Sequence, residues 1–179
     1  FATEEPDYEL YILTGADPND IAHQFRQLIG RSYIPPKWAF GLQQSRWGYK
    51  TAEDVREVAR QYKENDLPLD MICMDIDYMQ DYADFTINKE RFPDLAALAA
   101  ELKAQGIRLV PIIDAGVRID PEEPTCTEGL EKGYFCKKED GTPFVAAVWP
   151  GKAYFADFLR PEVRAWFGHR YKVLTDCGI

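Results

Sequence analysis

The sequence has few of the residues that usually build metal or redox sites. It contains two histidines and four cysteines among 179 residues, and no two cysteines have the C-x-x-C spacing of a zinc knuckle or a redox pair. The cysteines are also too scattered for a disulfide framework. We therefore expect reduced thiols, a protein of the cytosolic type, and no metal site.

Long apolar runs are also missing. No uninterrupted apolar stretch reaches the roughly 18 residues that a membrane-spanning helix needs. The first residues, FATEEPDYEL, contain neither the basic region nor the apolar core of a signal peptide, and they do not begin with Met. The expectation is a cytoplasmic protein without a membrane partner, whose natural start lies before residue 1.

Positive charge is in short supply. Lys and Arg total 21 against 30 Asp and Glu, a formal net charge of −9, which disfavours binding to nucleic acid or to an anionic membrane. What the sequence does have is a globular share of hydrophobic residues, 46%, and many aromatics, 13%. Aromatic residues in such numbers suit a large core or a surface that stacks on sugars.

Strand and helix patterns alternate along the chain. Apolar alternation and β-branched runs predict strands, whereas capping residues, prolines and glycines mark helix ends. The predicted strands are 8–14, 39–43, 71–76 and 109–113, the predicted helices are 18–29, 52–65, 93–105 and 161–177, and a hairpin turn is predicted at Asp140-Gly141.

This alternation predicts the α/β class with a parallel sheet. An open doubly wound sheet and a (β/α)8 barrel are the competing architectures. The turn after the strand at 39–43, SRWGYK, has one glycine, which disfavours a nucleotide-binding doubly wound sheet. A complete barrel takes about 250 residues, so the sequence favours a partial barrel of about three strands with a hairpin insertion.

Polar and aromatic residues follow the predicted strands, at the edge where barrels carry their functional side chains. They are Arg46 and Trp47 after the first barrel strand, Asp75 and Asp77 after the second, Asp114 after the third, and Trp149 in the hairpin. Paired carboxylates accept hydroxyl hydrogen bonds, and aromatic faces cover the apolar faces of sugars. Without a cationic cluster, this set points to a neutral polyhydroxylated ligand.

The order of several motifs resembles glycoside hydrolase family 31, in particular its bacterial α-glucosidases. The motifs are WAFGLQQSRWGY, PLDMICMDIDYM, DFTINKERFPDL, GIRLVPIIDAGV and FVAAVWPG. The resemblance implies a (β/α)8 TIM barrel preceded by a β-sandwich. Residues 1–34 then form the end of the sandwich and a strand–helix link, and residues 35–179 form the first half of the barrel.

The resemblance also implies roles for single residues. Asp75 hydrogen-bonds the hydroxyls of the sugar in the −1 subsite, and Ile76 lines the same pocket. Trp47 lines the entrance, Ile112 forms an apolar wall, and Trp149 packs against the sugar.

Three further residues keep two interpretations each. Asp77 is either a site residue or an acceptor that caps a helix or loop. Asp114 is either a site residue or a structural acceptor at a strand end. Arg46 either holds a carboxylate in the pocket floor or forms a buried ion pair.

The implied reaction is retaining hydrolysis of an α-glucosidic bond, which uses two carboxyl groups about 5–5.5 Å apart and no cofactor. The family nucleophile lies in a W-x-D-M-N-E motif that this sequence does not contain, and we expect it and the acid/base beyond Ile179. The 179 residues alone are therefore expected to lack catalytic residues and activity.

Other functions fit the same residues. They are a non-catalytic carbohydrate-binding module, and a family 31 α-xylosidase, α-glucan lyase or transglycosylase. The expected partners are an α-glucoside oligosaccharide and the remainder of the same enzyme. Open barrel edges also predict association with a second copy of the chain.

Overall fold

A computed structural model describes residues 7–179 of the chain, which divides into two compact units. The first unit extends to Pro36, and the second covers Lys37–Ile179. Within residues 7–179, each helix is too short or too polar to cross a membrane.

The first unit contains one helix, α1 (Pro18–Ile29), as predicted. Oδ1 of Asp17 caps it by accepting hydrogen bonds from the backbone of Asn19 and Asp20 at 2.8 and 3.0 Å. The predicted strand at 8–14 is wrong, because these residues have no regular secondary structure. An extended segment becomes a strand only when a neighbouring chain pairs with its backbone, and the described part of this unit provides none.

The second unit is built on a parallel sheet in the order β1-β2-β3. Its strands are β1 (Gln43–Arg46), β2 (Met71–Met74) and β3 (Arg108–Pro111), and its connecting helices are α2 (Ala52–Glu64) and α3 (Leu95–Ala104). Parallel strands joined through helices confirm the predicted α/β class and the partial barrel. The sheet does not close, so β1 and β3 each have a neighbour on one side.

The first barrel strand begins four residues later than predicted. Lys37–Phe40 form a short 3-10 turn instead. The carboxylate of Asp70 then accepts a hydrogen bond from the backbone of Leu42 at 2.9 Å, and this close approach leaves no room for a side chain at Gly41, where a Cβ would lie 2.1 Å from Asp70 Cγ. Strand pairing starts only beyond this contact.

The helices that flank the sheet follow their sequence signals. α2 starts with a capping box in which Thr51 and Asp54 each accept a hydrogen bond from the other's backbone. α3 starts at an Asp94 cap. The apolar faces of both helices pack on the sheet and form the main core with residues that include Val55, Ile72, Leu98 and Leu102.

An antiparallel sheet follows β3, in the order β4-β6-β5. Its strands are β4 (Gly116–Arg118), β5 (Val145–Val148) and β6 (Gly151–Phe155), and helix α4 (Pro124–Glu131) lies between β4 and β5. The predicted turn at Asp140-Gly141 is present, closed by Lys138 donating to the carbonyl of Thr142 at 2.9 Å. β5 and β6, however, turn at Trp149-Pro150, and β4 and α4 were not predicted.

The second sheet has its own core cluster, formed with α4 and with α5 (Pro161–Arg170). Its members include Phe85, Val117, Cys126, Phe135, Val163, Trp166 and Phe167. The predicted single helix 161–177 is wrong in its continuity, because Tyr171 separates α5 from the short α6 (Lys172–Thr175). Hydrogen bonds that span three residues, such as Leu174 N–H to Tyr171 C=O, tighten the chain there.

Candidate functional site

The candidate site lies at the carboxyl edge of the parallel sheet. The three strands end in register, so the residues that follow their last paired positions are Trp47, Asp75 and Ile112. Neighbouring strands lie about 4.8 Å apart, and α/β proteins carry functional side chains at this edge. The register therefore places three predicted site residues at the same edge of the sheet.

Asp75 has a carboxylate that is only partly used by the protein. It is half-buried, and its Oδ1 accepts a hydrogen bond at 2.8 Å from the backbone of Ile76, which starts the 3-10 turn Ile76–Tyr78. Within the described chain, Oδ2 accepts no hydrogen bond. A carboxylate oxygen in this state can accept from a sugar hydroxyl.

Two predicted tryptophans have open faces. Trp47 follows β1 and is 64% exposed, and Trp149, at the turn between β5 and β6, is 71% exposed. Trp149 therefore belongs to the second sheet. Among residues 7–179, no hydrogen bond joins it to Asp75. Both rings are free to stack on the apolar face of a sugar.

The two predicted isoleucines lie in different environments. Ile112 is 40% exposed just past β3 and can act as an apolar wall. Ile76 is buried in the main core cluster. A direct role of Ile76 in lining a sugar pocket stays a prediction.

The two interpretations of Arg46 and Asp77 are partly decided. Arg46 is exposed at the end of β1 and makes no ion pair with the described residues, and both of its interpretations stay predictions. Asp77 is 2% exposed, and its Oδ2 is buried without a hydrogen-bond partner in the part of the chain described. Asp77 therefore does not act as a cap through that oxygen.

Asp114 is held by a residue that sequence reasoning missed. Its backbone N–H donates to Oδ1 of Asp84 at 2.8 Å, and its own side chain is half-buried. Asp84 is 4% exposed. Burial, followed by the nearby charges of Asp114 and Glu123, raises the pKa of Asp84 to about 7, although the hydrogen bond from Asp114 N–H acts in the opposite direction.

Tyr78 makes a second contact to the same stretch. Its hydroxyl donates to the carbonyl of Ile112 at 2.7 Å. The ring is fully buried, and burial, with Asp84 nearby, raises the pKa of the phenol. Only the motif position of Tyr78, directly after the paired aspartates, could have drawn attention to it in the sequence.

The edge combines a free carboxylate oxygen of Asp75, the apolar side chain of Ile112 and the open face of Trp47, which suits recognition of a neutral sugar. Among residues 7–179, no group of three or more His, Cys, Asp or Glu side chains is arranged to hold a metal ion. A cleft of about 470 Å³ lies at the opposite, amino edge of the sheet, where residues that include Leu67, Leu69 and Ile107 line it. In barrels that edge contributes to stability.

Comparisons with known proteins agree on one family. The family model of the glycosyl hydrolases family 31 TIM-barrel domain matches residues 32–179. Alpha-glucosidase 2 of Bacillus thermoamyloliquefaciens is 45% identical over 179 residues, which are 100% of this chain and 23% of that protein. Alpha-xylosidase 1 of Arabidopsis thaliana is 36% identical over 171 residues, 94% of this chain and 19% of the relative. The chain thus spans less than a quarter of either relative.

Solved structures show the same relationship. A Family 31 alpha-glucosidase from Bacteroides thetaiotaomicron superposes with a TM-score of 0.82 at 34% identity, over 90% of this chain and 28% of that one. The glucosidase II alpha subunit in its Glc1Man2-bound form gives a TM-score of 0.81 at 33% identity, over 86% of this chain and 17% of that one.

Proposed function

Because the chain belongs to glycosyl hydrolase family 31, as part of its TIM-barrel domain, we propose that it is the first half of the catalytic barrel of a retaining α-glucosidase. The enzyme would release terminal α-linked glucose from oligosaccharides. One observation carries the proposal: Trp47, Asp75 and Ile112 each directly follow the last paired residue of a strand at the carboxyl edge. The bacterial α-glucosidase that is 45% identical over the whole chain supports it.

In this proposal the chain binds and orients the terminal sugar. Asp75 accepts hydroxyl hydrogen bonds through its free oxygen, Ile112 limits the pocket, and Trp47 and Trp149 cover apolar faces of the sugar. The nucleophile and the acid/base come from the remainder of the same barrel. Both are carboxyl groups, set about 5–5.5 Å apart in retaining enzymes.

The test is a substitution in the full-length polypeptide that contains this chain. Hydrogen bonds to a charged group contribute about 1.5–3 kcal/mol, so Asp75→Ala should lower kcat/KM on an aryl α-glucoside about 10–100-fold. Asp140→Ala is the matched control, because Asp140 is an exposed turn residue that accepts from Thr142 N–H at 2.9 Å. Equal activity of the two variants would contradict the proposal. Retention is checked by NMR, with the α-anomer of glucose expected first.

An α-xylosidase is the second candidate, because Alpha-xylosidase 1 is 36% identical over 94% of the chain. Xylose lacks the hydroxymethyl group of glucose, and the bulky Trp47 indole beside Asp75 would narrow the pocket. We expect the aryl α-glucoside to be hydrolysed faster than the aryl α-xyloside. The reverse preference, with a gain in glucoside activity for Trp47→Tyr, would favour the α-xylosidase.

A further inference from the structure

The backbone that leaves β3 depends on side chains from the preceding loop. Its last contact to β2 is the hydrogen bond from Ile112 N–H to the carbonyl of Met74 at 3.0 Å. Beyond this bond, Tyr78 donates to the carbonyl of Ile112 at 2.7 Å and Asp84 accepts from Asp114 N–H at 2.8 Å. The two side chains bind the polar groups on either side of Ile113.

We propose that Tyr78 and Asp84 are positioning residues. They fix Ile112 and Asp114 at the sugar site by forming hydrogen bonds with the backbone of residues 112–114. This inference rests on the proposed function, since it takes the carboxyl edge as the sugar site. It assigns Asp114 to that site, with its side chain oriented through its own backbone.

Burial makes the two contacts restrictive. Tyr78 is fully buried and Asp84 nearly so, so water cannot easily replace either partner. A buried polar group that loses its hydrogen-bond partner is left without the compensation for its desolvation, which is unfavourable. Residues 112–114 are therefore held in one conformation, because breaking either hydrogen bond would leave a buried polar group without a partner.

The loop that carries Asp84 is itself held in an unusual conformation. Asp81, Tyr82 and Phe85 have positive φ angles of 47, 61 and 62°, which are unfavourable for residues with a Cβ. Such a conformation persists only where the surroundings enforce it, and it is common at functional sites. Three such residues lie within the five chain positions 81–85, which include Asp84.

Contacts on both sides of Asp84 enforce this conformation. Thr86 Oγ1 accepts from Gln80 N–H at 2.9 Å, which closes the loop. The ring of Phe85 packs edge-on against Phe167, which belongs to the core cluster of the second sheet, and against Tyr171, at centroid distances of 4.9 and 5.5 Å. The loop is thereby packed against α5, the helix that shares the core cluster of the second sheet.

A double-mutant cycle in the full-length enzyme tests the inference. Asp84→Ala and Asp114→Ala should each lower kcat/KM on an aryl α-glucoside at least 10-fold. If Asp84 acts through the Asp114 side chain, the double variant should be no more than about 3-fold below Asp114→Ala, because coupled residues are not additive. Losses that multiply would overturn the inference, and so would an Asp114→Ala variant with full activity.

A conservative variant separates positioning from folding. Asp84→Asn keeps an oxygen that can accept from Asp114 N–H, so it should recover kcat/KM to within about 3-fold of the native enzyme. An Asn variant as poor as Asp84→Ala would overturn the inference. Asp75→Ala reports on the proposed function separately: if it lowers kcat/KM and the cycle fails, only the positioning role falls.

Tyr78→Phe provides a test that does not depend on Asp84→Ala folding, since it removes only a hydroxyl. We expect KM to rise about 5-fold. The control is Tyr62→Phe, which loses a similar hydrogen bond, from Tyr62 to Gln44 at 2.6 Å. Partial misfolding lowers the apparent kcat and leaves KM unchanged. The same KM in both variants would overturn the role of Tyr78.

Discussion

Among single residues, Asp84 links folding stability to pH. Its pKa is raised from 3.8 to about 7 by burial, so the folded protein keeps the proton over a range where the unfolded chain has lost it. The stabilising contribution is complete below about pH 4, declines as the pH rises to about 7, and is constant above that. Three pH units correspond to about 4 kcal/mol as an upper bound.

The Asp84→Asn variant should remove this dependence, because an amide does not titrate in this range. Relative to the native protein, its melting temperature should be similar near pH 4.5 and several degrees higher at pH 8. Thermal unfolding followed across this range measures the difference. Asp94→Asn, at the exposed cap of α3, is the control. A difference between Asp84→Asn and native protein that stays constant with pH would contradict the raised pKa.

Two helical glycines should respond in opposite ways to alanine. A Cβ at Gly129 in α4 would lie 2.4 Å from Cζ of Phe135, whereas Gly168 in α5 has open space around it. Gly168→Ala should raise the free energy of unfolding by about 0.5–1 kcal/mol through helix propensity. Gly129→Ala should lower it, because the Phe135 ring has to move. Urea unfolding measures both, and shifts of the same sign would contradict the packing around Gly129.

At the scale of elements, the capping box of α2 should contribute measurably to stability. Thr51→Ala removes the acceptor for Asp54 N–H and should lower the free energy of unfolding by about 1 kcal/mol. Thr51→Ser keeps the hydroxyl and should stay within a few tenths of a kcal/mol of the native value. Urea unfolding of the two variants checks this, and equal losses would show that the cap is not responsible.

Elements with local signals were predicted well. α1, α2 and α3 begin at Asp17, Thr51 and Asp94, whose side chains accept from backbone groups two or three residues on, so neighbouring sequence specifies them. Strand ends depend on pairing with distant residues. This explains why β1 starts late and why the strand at 8–14 is absent.

The candidate site shows the same contrast between features with a local sequence signal and features that depend on distant residues. Motif positions predicted Trp47, Asp75 and Ile112, which the register places at the same edge of the sheet. The contacts of Tyr78 and Asp84 join residues 30 or more positions apart, and the positive φ angles nearby occur at residues other than glycine. Neither has a local sequence signature.

At the scale of the whole molecule, the open sheet should make the isolated 179-residue polypeptide self-associate. The outer backbone groups of β1 and β3 have no strand beside them in the described chain, and such edges pair with other chains. Light scattering should give a mass that rises with concentration, and an aryl α-glucoside should not be hydrolysed. A stable monomer, or measurable turnover, would contradict these expectations.

The separate core of the second sheet affects how the protein can evolve. This core cluster meets the main core through few side chains, Ile113 and Val173 among them, so insertions near Trp149 should disturb the barrel strands little. Substitutions that reshape the hairpin can thus accumulate while the barrel strands keep their packing. Descendants that inherit the same barrel can then differ in this hairpin, and Phe85, which enters the cluster from the loop after β2, constrains that freedom.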